Sequence, residues 1–495
     1  MASQTEKAIT DYRNRFISRI PQNLTSATSD ELLRLFTEPC NTDHHSGSHN
    51  FTCNHTVLHF ALCKQDELVI GFILQSLTQP HRFQLLTTSC RYCRQPLQLA
   101  IRKRWEKMIN EILKYLDGNQ CKDAFMQILV EDKLPLYYLL KNQCWNTIES
   151  LVKKLTSDQL VDLLSARHQS TGTTFLHSVA TNSRFEHWEH VRKILKHIGH
   201  DQTLRLLAIE VSQKLTPLHI SAENGNTKLV SIFLDCIENT SSTSSTFSHR
   251  KLRLLNIVNS SELRPIDLAA VKGNYETFEI MLSAVPKSQL MEILSYQNAS
   301  GETILHQCAK KESYSVFKCS ALLLERLSPS QLHEILKIQD ANGNTAFHCH
   351  MRAIGNASQD DASQLNDIKI LKKLQSQQVF SLLMIQNNRR DTALHVAANH
   401  TGNIPLLVRH LPNYITETQV CELLNLEDKF QRKPLDIALS WKNLDLADCL
   451  QMHEETANPD MNHNPGIYKS RRQQLYLLTK NVNFMSCNSV CFFSI

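Results

Sequence analysis

Residues 328 to 348 read SPSQLHEILKIQDANGNTAFH, and residues 286 to 306 read PKSQLMEILSYQNASGETILH, with the same Gln-Leu, the same Ile-Leu and the same closing His. Either one stretch has been duplicated locally or the chain is built from units, and persistence of the spacing decides between the two. It persists. A Thr-Pro-Leu-His-like tetrapeptide ends at His59, Gln98, Tyr137, His177, His219, Asp267, His306, His348, His395 and Asp436. The intervals between these anchors are 39, 39, 40, 42, 48, 39, 42, 47 and 41 residues.

The Gln-Leu element keeps a fixed phase. Gln120, Gln202, Gln289, Gln331, Gln378 and Gln419 each stand 17 residues before the next anchor. His81 and Arg250 hold the same slot, and Gln159 stands at 18. Length variation therefore falls after the anchor, where loops absorb it.

Each part of the unit has a physical reading. In SPSQLHEIL, Leu332, Ile335 and Leu336 lie at i, i+3 and i+4, one apolar stripe of a short helix, with Ser328 as N-cap and Pro329 in the first turn. A polar turn follows, DANGN or NASGE, whose Gly343 and Gly301 can take positive φ without a Cβ clash. The tetrapeptide then opens a second helix, backed by small residues such as Ser221 and Ala222. Gly225 and Gly273, six residues past their anchors, are placed to end that helix, and TKLVSIFLDCI supplies a returning partner.

The Thr-Pro-Leu-His core, the small residues behind it and the Gly six residues on resemble ankyrin repeats, over roughly residues 50 to 452. The resemblance implies an all-α solenoid of about ten repeats, each lengthened by an additional short helix, since ankyrin repeats run about 33 residues and the shortest interval here is 39. The unit around Tyr137 has lost most of the motif. Residues 1–50 form an N-terminal helical cap, with Leu32, Leu33, Leu35 and Phe36 on its apolar face, followed by a His-rich loop; residues 51–452 form the repeats and 453–495 an irregular tail. The anchor His residues are then structural, bonding backbone to join successive turns. The unit recurs because one repeat cannot bury its apolar face, whereas stacked units share one core.

Composition narrows the function. A net charge of +5 on 495 residues is too mild for nucleic-acid binding, and no apolar run approaches the length of a membrane span. Fifteen scattered Cys without a small-domain framework fit a reducing compartment, so the expected location is a cytosol. No Walker loop, G-x-S-x-G, H-E-x-x-H or kinase set is present in the sequence. The resemblance implies a non-enzymatic, monomeric scaffold that binds another protein. Lengthened units and a Leu/Gln/Asn/Ser-rich composition with 12 Gly are similar to the ankyrin-repeat effectors that intracellular bacteria deliver into host cells. The alternatives are an effector enzyme with its site on the concave repeat surface and a eukaryotic cytosolic adaptor.

Two sets of side chains stand out. Cys53 lies six residues before the first anchor, and Cys90 and Cys93 precede the second, so stacked units bring these thiols together. With His55, or His49 or Cys40 in its place, they supply a tetrahedral set for one structural zinc. The second set is basic: NNRRDT carries Arg389 and Arg390, and DKFQRK carries Lys429, Arg432 and Lys433. Stacking aligns them as a positive ridge able to pair with an acidic partner. Because residues before an anchor are expected to add little to the core, Arg389→Glu with Arg432→Glu is expected to leave the melting temperature within a few degrees.

Overall fold

The computed structural model describes residues 28–37, 56–89, 95–127, 134–182, 188–237, 244–310, 322, 325–356, 371–399 and 406–457. The regular structure among them is helical, with no strand. Contacts divide the chain into two compact units, one spanning Met1–Ser221 and Lys228–Arg250, the other Ala222–Thr227 and Lys251–Ile495.

Within each unit the same three-helix element recurs. In the first, the anchor helix Val57–Lys64 is followed by a return helix, Glu67–Gln75, and a short helix, Gln79–Thr87. The cycle repeats as Pro96–Arg102, Glu106–Lys114 and Gly118–Gln127, then as Pro135–Lys141, Trp145–Lys154 and Ser157–Ser165. Tyr137 therefore anchors a full element although its tetrapeptide is degenerate, because Leu136, Leu139 and Leu140 still bury the inner face. Ahead of the first anchor, Ser29–Thr37 packs Leu32, Leu33 and Phe36 against this stack.

The additional short helix is the element that lengthens the repeat. In Pro329–Leu336 the Ser328 hydroxyl accepts from Gln331 N, Pro329 occupies the first turn, and Leu332, Ile335 and Leu336 are buried. Burial of each such side chain contributes about 2 kcal/mol. The recurrent Gln is a capping residue. Its Oε1 accepts the N-cap N–H at 3.0 Å in Thr156–Gln159, Gln375–Gln378 and Thr416–Gln419, and at 3.1 Å in Ser328–Gln331. Its amide also reaches the preceding repeat: Gln120 Nε2 donates to Gln79 O at 2.9 Å and Gln159 Nε2 to Asn119 Oδ1 at 2.7 Å.

Two backbone slots take a left-handed conformation with glycine and non-glycine residues alike, apart from Ile354, which the longer helix Ala346–Asn356 includes. Six residues past the anchor stand Gln65, Arg104, Gln143, Gly225, Gly273 and Lys442, all at positive φ. Five residues before it stand Gly172, Lys214, Glu262, Gly301, Gly343, Arg390 and Gln431, again all at positive φ. Scarce glycine is thus compatible with the repeat, at a strain of about 1 kcal/mol or more per non-Gly residue.

Candidate functional site

The anchors are structural links. In the second unit the backbone N–H groups of Thr303, Thr345 and Thr392 donate to Nδ1 of His306, His348 and His395 at 3.2, 3.1 and 3.1 Å. A backbone N–H can only donate, so Nδ1 is the acceptor and the proton lies on Nε2. Nε2–H then donates across to the next finger, His306 to Asn344 O at 3.0 Å, His348 to Asp391 O at 3.0 Å and His395 to Arg432 O at 3.2 Å. His177 does the same in the first unit, to Leu215 O at 3.1 Å. Burial, which disfavours the imidazolium, lowers all four imidazoles from their ordinary value, His177 and His348 to about 4.

One link is rebuilt with different chemistry. Where the tetrapeptide reads RPID, the Asp267 carboxylate accepts Arg264 N at 2.9 Å, as the imidazole does elsewhere. Arg264 is fully buried and grips the same carboxylate through Nε and Nη2, both at 2.8 Å, while Nη1 donates to Ile293 O at 2.8 Å. Its guanidinium also lies 4.4 Å from the Tyr296 ring.

The loops before the anchors are closed by a side chain eight residues upstream. Asn259, Asn298, Asp340, Asn387 and Asp428 each accept, through Oδ1, the N–H groups two and four residues on, at 2.7–3.0 Å. These Asx turns make the loops into rigid fingers. In the second unit the fingers are joined: Ala341 N donates to Ser300 O at 2.9 Å, Asn388 N to Asn342 O at 3.0 Å and Lys429 N to Arg389 O at 3.1 Å. One residue ahead of the Asx position, Gln297, Gln339 and Gln386 each place Nε2 on their own finger and on the backbone of the next. The expectation that finger residues add little to the core is thereby corrected, since Asp340, Asn344, Asn387 and Asp428 are buried, the two Asp closing their own fingers and Asn387 bonding Asn344 across adjacent ones. An Asn or Asp at one offset from five consecutive anchors was a readable signal; its hydrogen-bonding role was not.

The five basic residues divide. Arg389, Arg390 and Lys429 are exposed on two fingers whose backbones touch, and the Lys429 ammonium lies 5.0 Å from the ring of Phe430, itself 64% exposed. Arg432 is committed to its own finger: Nε and Nη2 donate to Asp428 Oδ2 at 2.9 and 2.7 Å, and the guanidinium lies 5.0 Å from the Phe430 ring. Lys433 Nζ donates to Asn425 Oδ1 at 2.6 Å. Of the five, the cations whose side chains have no hydrogen-bond partner among the described residues are therefore Arg389, Arg390 and Lys429, with exposed Phe430 beside Lys429.

Cys53, His55, Cys90 and Cys93 lie outside the described residues, as do residues 453–495 beyond 457. Among the described residues no group of His, Cys, Asp and Glu is placed to hold a metal. Burial pushes the Cys121 thiol up to about 12 and those of Cys144, Cys236 and Cys349 up to about 11, which makes them poor nucleophiles.

The described residues form an all-α array of three-helix repeats. No protein-family model matches it, and no curated protein does. Among solved structures the ankyrin repeat domain of Bcl-3, a unique member of the IkappaB protein family, is similar over 57% of this chain and 100% of its own, with 17% identity and a TM-score of 0.35. That likeness is weak, and the repeat geometry stands on the hydrogen bonds above.

Proposed function

We propose that the protein is a non-enzymatic scaffold that binds an acidic surface of another protein through the fingers of its second unit. The observation that carries this reading is the rigid edge of Arg389, Arg390 and Lys429, with exposed Phe430 beside Lys429, held by the Lys429 N to Arg389 O bond of 3.1 Å. Cations steer an acidic partner, and an adjacent aromatic ring supplies desolvated contact area. No described helix is long and apolar enough to cross a membrane.

The finer reading is a bacterial effector acting in a host cytosol, supported by the lengthened repeats and the composition; sequencing of the flanking genome tests it. A structural zinc at Cys53, Cys90, Cys93 and His55 belongs to the same proposal, supported by the Cys-x-x-Cys spacing. Metal analysis giving under about a tenth of an equivalent, with no loss of stability on chelation, removes it.

The edge itself is tested by Arg389→Glu with Lys429→Glu, two residues whose side chains have no hydrogen-bond partner among the described residues. Partners captured from host lysate by the parent chain, and identified by mass spectrometry, should be lost to this variant at an unchanged melting temperature. Retained capture places the interface elsewhere.

A further inference from the structure

Behind the fingertip edge lies a cavity of about 410 Å³ whose lining residues are polar except for Val396. Arg352, on the anchor helix Ala346–Asn356, and Arg389, on the next finger, both line it. Neither guanidinium has a hydrogen-bond or ion-pair partner among the described residues, and the same holds for the side-chain amides of Asn342 and Asn399 in the same wall. The floor is rigid. Asn387 Nδ2 donates to Asn344 Oδ1 at 2.9 Å, Asn388 Nδ2 to Ala341 O at 3.0 Å, and both belong to fingers closed by Asx turns.

The remaining charged group is Asp391, mostly buried, whose backbone is already used: its carbonyl accepts His348 Nε2 and its N–H donates to Asn387 Oδ1. Two guanidiniums against one carboxylate leave the cavity net positive, and the carboxylate remains free to accept an N–H. We infer that this cavity is a binding pocket for an extended acidic peptide segment, with one Glu or Asp side chain held between Arg352 and Arg389 and a peptide N–H of the segment donating to Asp391. Planar guanidiniums suit a carboxylate because each offers a fork of donors, and the uncommitted amides of Asn342 and Asn399 suit a peptide backbone, which needs one donor and one acceptor per residue. The inference rests on the reading of the second unit's fingers as a docking edge and names what that edge reads.

The test uses the full chain and a fluorescein-labelled hexaglutamate peptide, followed by fluorescence anisotropy at low salt, with hexaglutamine as the uncharged comparison. Arg352→Gln and Arg389→Gln should each weaken hexaglutamate binding at least tenfold, whereas Arg390→Gln and Lys429→Gln, outside the cavity, should weaken it less than threefold. Thermal melts of all four variants should coincide, since none of these side chains holds the fold. Binding unaffected by Arg352→Gln but lost with Arg390→Gln and Lys429→Gln overturns the pocket and leaves the docking edge standing. Failure of the parent chain to prefer hexaglutamate over hexaglutamine overturns both.

Discussion

Asp428 and Arg432 close the last finger on themselves: one carboxylate oxygen accepts the N–H groups of Phe430 and Arg432 at 2.7 and 2.9 Å, and the other accepts the Arg432 guanidinium at 2.9 and 2.7 Å. Burial works against the charged carboxylate, and these bonds outweigh it, holding its pKa below the ordinary value. A residue counted from the sequence as a free surface cation is a brace. Arg432→Glu, which sets a like charge against buried Asp428, should therefore destabilise the second unit by about 2 kcal/mol, and Asp428→Ala by about 3 kcal/mol. Arg389→Gln, with no such partner, should stay within about 0.5 kcal/mol. Urea unfolding reads all three, and equal midpoints for Arg432→Glu and Arg389→Gln would contradict the brace.

The imidazole links make stability depend on pH. His177 and His348 have folded values near 4, below the ordinary 6.5, so on acidification the unfolded chain takes up protons first. Their contribution is present in full above about pH 7, declines as the pH falls from about 6.5, and is exhausted near pH 4. By pH 5 the loss is roughly 2 kcal/mol for each of the two. Urea midpoints should be level between pH 8 and 7 and drop steadily from 6.5 to 5, a window above most carboxylate titration. A level response down to pH 5 would show that the links do not exclude the imidazolium.

The Arg264–Asp267 pair should be breakable singly and replaceable jointly. Asp267→Ala leaves a buried guanidinium facing only Ile293 O and the Tyr296 ring, and should cost about 3–5 kcal/mol. Arg264→Thr with Asp267→His restores the pair used at six other anchors where Thr precedes His by three residues in the described structure, and should recover at least half of that loss. A double variant no more stable than Asp267→Ala would show that the neighbouring repeat has adapted to the guanidinium alone.

The left-handed finger slot gives two opposite expectations. At Gly343, φ is +76° and an added Cβ would lie 2.7 Å from Asn388 N, so Gly343→Ala carries both backbone strain and a collision with the next finger and should cost about 2–3 kcal/mol. At Gln431, φ is +59° and the residue is exposed, so Gln431→Gly trades relief of strain against chain entropy and should lie between neutral and about 1 kcal/mol stabilising. Thermal melts of the two variants should move in different directions or by clearly unequal amounts.

The sequence by itself determined the periodic part of this protein. The tetrapeptides, the Gln at 17 residues upstream and the apolar stripe of Leu332, Ile335 and Leu336 are local signals, and local hydrogen bonding and burial turned each into the helix it implied. The Tyr137 unit, with its motif eroded, kept the fold through burial of Leu136, Leu139 and Leu140, which any apolar run can supply. The division of labour among polar residues was decided by the folded finger and the repeats stacked on it. Arg432 and Arg389 look alike in the sequence, yet one is locked onto Asp428 and the other lines an open cavity beside Arg352, 37 residues away in the chain. Arg432 finds its carboxylate within its own finger, four residues back, whereas Arg389 and Arg352 share one cavity only because stacking sets a finger beside the anchor helix of the preceding repeat.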